Sequence, residues 1–350
     1  MRKLALVLLA IALPLGLYEG VLRAFWINPF AHESPDLVLV LRTQPARADR
    51  TLDRGALHLD PPQVRFRTDA RGYIEPAQRI SDPEFTLAFQ GGSTTECLVV
   101  QEELRWPNQV AVQLESLGFR ANALNAGRAG NTAHDALVNL VEIVSRDRPD
   151  VVLLMHAIND AGLLAEGGYA RRAPQPDGWR AGGRWLFETA SAHSSLAGLV
   201  RRLSGFGREV PGPARAQAPP VPDPEPYQER LRAWARTARA FGIEPVLITE
   251  PLSSLRNELT PPWTDAAALA VFNARVRAIG REERVAVVDL AALVEAEPDF
   301  HTPEKIYYDG MHVNDAGARI YGRLVAEALA RDVLPGLRAA RASHLPQIAP

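Results

Sequence analysis

Ser93, Asp309 and His312 are the residues of this chain whose types and settings can do chemistry together. Ser93 follows Gln90-Gly91-Gly92, directly after Phe85-Thr86-Leu87-Ala88-Phe89. That apolar, β-favouring stretch, bounded by Pro83 and the glycines, reads as a short buried strand. A hydroxyl on a tight glycine turn at the carboxyl edge of an open α/β sheet stands where such sheets place their ligands. Taken alone, the same residues also fit a serine that caps a helix. A serine hydroxyl is a weak nucleophile until a histidine takes its proton. A carboxylate then fixes the imidazole tautomer and stabilises the imidazolium. Asp309-Gly310-Met311-His312 supplies both groups three residues apart, with a glycine between them. The chemistry these residues point to is acyl transfer, which also needs donors for a developing oxyanion. The candidates are the backbone N–H groups of Ser93 and Gly130 and the side-chain amide of Asn159.

These groups are far apart in sequence, so a scaffold must bring them together. Ala121–Asn125 reads as a second strand, leading into the glycine-rich turn that holds Gly130. Val151–Met155 is a continuous apolar run, as a buried parallel strand requires, and it leads to Asn159. Residues 244–249 and 285–289 complete five strands. Helices are predicted from Trp106 to Leu117 and over 133–146, 192–203, 227–241, 264–283 and 315–333. Strands alternating with helices predict an α/β fold: a three-layer α/β/α sandwich around a mostly parallel five-stranded sheet. Parallel strands end on one edge, so the turns at Ser93, Gly130 and Asn159 converge there.

Outside this core the signals are mixed. Met1-Arg2-Lys3 precedes an uncharged stretch to Tyr18, and apolar character resumes through Ile27. Residues 1–27 are expected to be a signal anchor or transmembrane helix, with the body exported to the periplasmic side; cleavage and secretion is the alternative. Residues 28–83 read as an accessory segment packed on the main domain, with a β-hairpin as one form it could take. Leu37–Leu41 and Val64–Thr68 are candidate strands, and Asp69–Gly72 is a turn after the second. Residues 162–226 read as a loop-rich insertion, with seven prolines between Pro211 and Pro226. The main domain is expected over 84–335, followed by a C-terminal tail, 336–350.

The chain of 350 residues has a net charge of −2 and no basic cluster, which argues against nucleic acid as a partner. Its single cysteine, Cys97, excludes an intrachain disulfide and reads as a buried small hydrophobe within Cys97-Leu98-Val99-Val100. No metal or cofactor is expected. A metal set joining Asp309 and His312 to Asp289 or Asp160 lacks a second histidine at helical spacing. His156 ends the third strand as a pocket-lining or structural residue, while His134 and Arg128 read as solvated.

Taken in order, these motifs resemble the SGNH hydrolases, or GDSL esterases and lipases, over about residues 84–335. Gly91-Gly92-Ser93 is similar to the family's Gly-Asp-Ser block, and Gly130 matches the glycine of its second block. Ala157-Ile158-Asn159-Asp160 is similar to Gly-x-Asn-Asp, and Asp309-Gly310-Met311-His312 to Asp-x-x-His. The resemblance implies a flavodoxin-like fold and a serine esterase with nucleophile Ser93, base His312 and orienting Asp309. Ser93, Gly130 and Asn159 would hold the oxyanion. Gly92 departs from the family's aspartate and Ala157 from its glycine. The ester substrate implied is a short-chain or acetyl ester, carried on an envelope carbohydrate or lipid. Two alternatives remain at this point: an O-acyltransferase acting on an envelope polysaccharide, and a non-catalytic binding or assembly protein on the same fold.

Overall fold

Unbroken apolar runs build the centre of the protein, because a strand covered on both faces has no polar side to alternate with. The computed structural model describes residues 2–26, 41–75, 80–169, 187, 190, 191, 193–204, 221–258, 260 and 265–344. Strands Asp49–Asp53 (β1) and Gln63–Arg67 (β2) pair antiparallel as a hairpin. Strands Phe85–Gly91 (β3), Ala121–Asn125 (β4), Val151–Met155 (β5), Glu244–Ile248 (β6) and Ala286–Val288 (β7) form a parallel sheet in the order β4-β3-β5-β6-β7. The register sets Phe89 opposite Asn125 and Leu153, and Met155 opposite Gly91 and Ile248. All five strands match their expected positions; β3 runs on through Gln90 and Gly91.

The described helices are Arg2–Phe25 (α1), Ser93–Glu96 (α2), Trp106–Ser116 (α3), Ala133–Glu142 (α4), Ile158–Ala165 (α5), Ser195–Ser204 (α6), Glu225–Ala240 (α7), Ala266–Glu283 (α8), Leu290–Glu295 (α9), Asp315–Asp332 (α10) and Leu334–His344 (α11). Alternate residues along each strand feed different layers. Phe85, Leu87 and Phe89 pack with Trp106 and Leu114 of α3 and with Tyr321 and Leu329 of α10. Ala88, Val152 and Leu154 pack with Leu140 of α4, Trp234 of α7 and Phe272 of α8. These two apolar layers on one sheet are the α/β/α sandwich.

The chain divides into two compact units, residues 1–40 with 170–217 and residues 41–169 with 218–350. Residues 41–83 lie in the larger unit, with the β1–β2 hairpin among them. Much of the expected insertion belongs with the N-terminal unit, where Glu19 of α1 accepts hydrogen bonds from the N–H groups of Ser195 and Leu196 at the start of α6. Among the described residues, no helix is long and apolar enough to cross a membrane. The candidate strand at Leu37–Leu41 lies outside the described residues except for Leu41, which is in no strand.

The C-terminal tail carries a helix. Residues 334–344 form α11, held by the buried Leu334 and by Arg338, whose guanidinium pairs with Glu84 and lies 4.1 Å from the Phe119 ring centre. Arg341 pairs with Asp150 and covers Phe85 in the same way. Within the larger unit, Arg54 fixes the hairpin segment to the sheet domain. Its side chain is fully buried and bonds both oxygens of Asp315, at 3.0 and 2.8 Å, as well as the carbonyl of Val99. Breaking a buried pair strands the remaining charge. Arg54→Ala is therefore expected to lower the unfolding free energy by about 3 kcal/mol in denaturant titration. A loss below about 0.5 kcal/mol would contradict this account of the attachment.

Candidate functional site

The carboxyl edge of the sheet gathers the residues singled out above. With strand order β4-β3-β5-β6-β7, the connection out of β3 runs one way, to β4, and the connection out of β5 runs the other, to β6, which opens a crevice between β3 and β5. Ser93 follows β3 and Asn159 follows β5, one on each side of that crevice. Ser93 opens α2, a single helical turn, rather than a loop.

His312 joins the serine to the carboxylate. Its Nε2 lies 2.7 Å from Ser93 Oγ, and its Nδ1 lies 2.6 Å from Asp309 Oδ2. With the Nδ1 proton on the Asp309 side, Nε2 is left to accept from the serine hydroxyl. The other Asp309 oxygen accepts from the backbone N–H groups of Met311 and His312, at 2.8 and 2.6 Å. Burial works against the ionised Asp309, but the hydrogen bond from His312 and these N–H groups outweigh it and hold the carboxyl below its usual range. The Tyr308 ring stacks on the imidazole at 5.6 Å with 9° between the planes, so the ring is fixed on its face as well as its edge.

Asn159 and Gly130 stand beside the serine turn. Asn159 Nδ2 donates to the Asn131 carbonyl at 2.9 Å, which fixes one amide hydrogen and leaves the second for another acceptor. A Cβ at Gly92 would stand 2.6 Å from that nitrogen. In this structure the Asn159 amide occupies the space that a side chain at position 92 would need. Gly130 has φ +73°, the left-handed region that favours glycine. Ala157, the second departure, is fully buried before α5 and its methyl group is accommodated there.

Buried carboxyl groups join the loops pairwise. Glu96 of α2 accepts from Gln44 at 2.5 Å and from the N–H of Ala129, beside Gly130, at 3.0 Å. Asp160 accepts from the Ala133 N–H, at 3.0 and 3.2 Å, and from the Tyr169 hydroxyl, linking the Asn159 turn to the start of α4. Glu250, two residues past β6, accepts from the Thr94 hydroxyl at 2.7 Å and from the Ile158 N–H at 2.8 Å. Burial pushes the carboxyl of Asp160 up to about 7, against the pull of Tyr169 and Ala133. It also raises Glu96 and Glu250, against the pull of their donors. Glu96 and Glu250 were not singled out for a role here in the sequence, and Asp160 was weighed only as a metal ligand. The rule that found Ser93 and Asn159, a polar residue just past a strand's carboxyl end, also finds Glu250.

The remaining sequence candidates fall as follows. Cys97 is buried, and burial pushes its thiol up to about 12, as suits a small hydrophobe. His156 is buried, and its carbonyl accepts the Tyr227 hydroxyl. His134 is half-buried with its ring 5.8 Å from that of Tyr169, which corrects its expected solvation. Arg128 is corrected likewise: it is half-buried and donates to the Thr43 carbonyl. Asp289 does not join His312; it pairs with Arg277 at 2.8 and 2.7 Å. A small pocket opens at the serine, lined by Cys97, Val99, Val100, Tyr308 and Val313.

Residues 89–320 match the model of the GDSL-like lipase/acylhydrolase family. That is more than half of the chain, and the chain belongs to this family: it is an SGNH-type ester hydrolase. It is similar to the lipase/acylhydrolase from Enterococcus faecalis, at 16% identity over 70% of this chain and 95% of that one, with a TM-score of 0.45. It is similar to an acetylxylan esterase from Geobacillus stearothermophilus, at 18% identity over 71% of this chain and 94% of that one, with a TM-score of 0.43. A GDSL-like lipase from Bacteroides thetaiotaomicron is 15% identical over 74% of this chain and 93% of that one, with a TM-score of 0.44. No curated protein matches the chain.

Two outcomes are expected from this geometry. Gly92→Ala should displace the Asn159 amide and lower kcat for an aryl acetate by about tenfold or more; wild-type kcat would show that the amide has no part in catalysis. The second concerns pH. A carboxyl raised in the fold keeps its proton between its unfolded and folded pKa, so stability falls as pH rises through that window. For Asp160 the window runs from 3.8 to about 7. Asp309 and Asp315, held low, lose their stabilising ionisation only as pH falls below the ordinary carboxylate range. The thermal midpoint should therefore peak near the bottom of the Asp160 window and decline toward neutrality. Asp160→Asn should flatten the decline, by up to about 1.4 kcal/mol per pH unit. An unchanged slope in the variant would remove Asp160 as its cause.

Proposed function

We propose that this GDSL-like acylhydrolase cleaves short-chain acyl esters, acetyl esters first among them, through Ser93, His312 and Asp309. Ser93 Oγ attacks the ester carbonyl as its proton passes to His312 Nε2. The N–H groups of Ser93 and Gly130 and the Asn159 amide receive the oxyanion, which collapses as the alcohol takes the proton from His312 and leaves. Water, deprotonated by the same imidazole, then attacks the acyl-serine, and Ser93 recovers its proton as the acid departs. Asp309 keeps the imidazole in the one tautomer that serves both halves.

The observation that carries this reading is the chain of contacts at 2.7 and 2.6 Å from serine through imidazole to carboxylate. Short chain length is part of the proposal, supported by the close apolar lining of the pocket at Ser93, where Val99, Val100, Val313 and the Tyr308 ring stand around the nucleophile. An acyl group carried by an envelope carbohydrate or lipid is part of the proposal, supported by the N-terminal sequence of two basic residues followed by an apolar stretch.

The test is a panel of aryl esters from acetyl to octanoyl, together with an O-acetylated sugar, assayed with the wild type and Ser93→Ala. Hydrolysis is expected to be fastest for acetyl, to fall steeply beyond about four carbons, and to drop at least about 10³-fold in Ser93→Ala. Undiminished turnover by Ser93→Ala would overturn the reading. A preference for octanoyl would overturn its short-chain part alone.

A further inference from the structure

Glu250 is buried two residues past β6, is not among those lining the pocket at Ser93, and feels the charge of His312 without hydrogen bonding to it. Its main chain is fixed from both sides: its N–H donates to Asn273 Oδ1 and its carbonyl accepts from Asn273 Nδ2, each at 2.9 Å. The side chain is thereby delivered between two turns. Oε1 accepts from the hydroxyl of Thr94, the residue after Ser93, at 2.7 Å. Oε2 accepts from the N–H of Ile158, the residue before Asn159, at 2.8 Å, and the Ala157 N–H donates to the same carboxylate. Every partner of the two oxygens is a donor, and buried donors left without an acceptor are costly.

We infer that Glu250 is a positioning residue of the hydrolytic site, its carboxylate setting the Ser93 turn against the Asn159 turn across the β3–β5 crevice. The segment it begins goes on to hold the third part of the site. Ser253 N–H donates to the Gly310 carbonyl at 3.0 Å, Asn257 Nδ2 to the Tyr308 carbonyl at 2.8 Å, and Gly310 N–H to Thr260 Oγ1 at 3.0 Å. One stretch of chain thus sets the distances between nucleophile, oxyanion donor and base. Displacements of about 1 Å between reacting groups can lower a rate about 10²-fold. Since Glu250 meets no substrate, its removal acts on kcat and not on KM.

The inference rests on the proposed roles of Ser93 and Asn159, and its test separates the two. Glu250→Met keeps the volume without an acceptor. Glu250→Gln keeps an acceptor for Ala157 and Ile158 and offers its amide to Thr94 Oγ, which can accept. With an aryl acetate, Glu250→Met is expected to lose about 10–10²-fold in kcat at near-constant KM, while Glu250→Gln returns to within about threefold of wild type. Thr94→Val, which removes the other end of the bond, should lose about tenfold in kcat, and Thr94→Ser should restore it. Wild-type kcat in a folded Glu250→Met, a loss carried by KM, or a Gln variant no better than Met would overturn the inference. Should Glu250→Met fail to fold, the Thr94 pair decides: equal kcat in Val and Ser variants overturns it. Ser93→Ala is assayed alongside. If it stays active, the reading of the whole site falls; if it is inert while Glu250→Met is native-like, only the role of Glu250 falls.

Discussion

A carboxyl group can be taken out of water only where donors replace the water it loses. That constraint shapes the site end of this protein. Glu96, Asp160 and Glu250 are all buried, and each finds its donors on a loop other than its own. Glu96 reaches the Gly130 loop, Asp160 the start of α4, and Glu250 both the Ser93 and Asn159 turns. Apolar residues of these loops, among them Val100, Ile158 and Met311, join the two core layers, and directional bonds from the buried carboxyl groups set the turns against one another. Satisfying each carboxylate and setting the distance between two turns are the same event.

The sheet makes this economical. In the order β4-β3-β5-β6-β7 the two strands that carry Ser93 and Asn159 are neighbours, and β6, which carries Glu250, lies beside β5. Parallel register brings Gly91 level with Met155 and Met155 level with Ile248, so all three loops begin at one height. The base comes from a different place, the loop before α10, and reaches the serine by way of Asp309 and the Tyr308 stack. At Gly92 the Asn159 amide occupies the space a Cβ would need.

Much of this was legible in the residues. β5 was predicted to the residue because a strand buried on both faces is a continuous apolar run, and β4, Ala-Asn-Ala-Leu-Asn at the sheet edge, because it leads into the glycine-rich turn that holds Gly130. Ser93, Gly130, Asn159, Asp309 and His312 could be picked out because four short motifs, each weak alone, come in order at strand ends and before the last long helix. What escaped has a common character. β1, Asp-Arg-Thr-Leu-Asp, is mostly exposed and carries no apolar period, so only its pairing with β2 reveals it. α11 is rich in arginine and alanine and read as a tail; it is held by guanidinium groups lying over Phe119 and Phe85, contacts that no periodicity encodes. Arg128 and His134 read as solvated because an isolated charged or polar residue carries no sign of the chain that will cover it. Glu96 and Glu250 are single acidic residues in ordinary contexts, and their burial follows from the tertiary arrangement alone.

The central claim is that Ser93 is a nucleophile activated by His312. A fluorophosphonate forms a phosphonyl ester with an activated serine, and mass spectrometry of the digested protein locates the adduct. Near-stoichiometric labelling on the peptide carrying Ser93, lost in His312→Ala while that variant keeps its fold by circular dichroism, is the result expected. An unlabelled wild-type protein, or a His312→Ala variant labelled at Ser93 at the same rate, would contradict it.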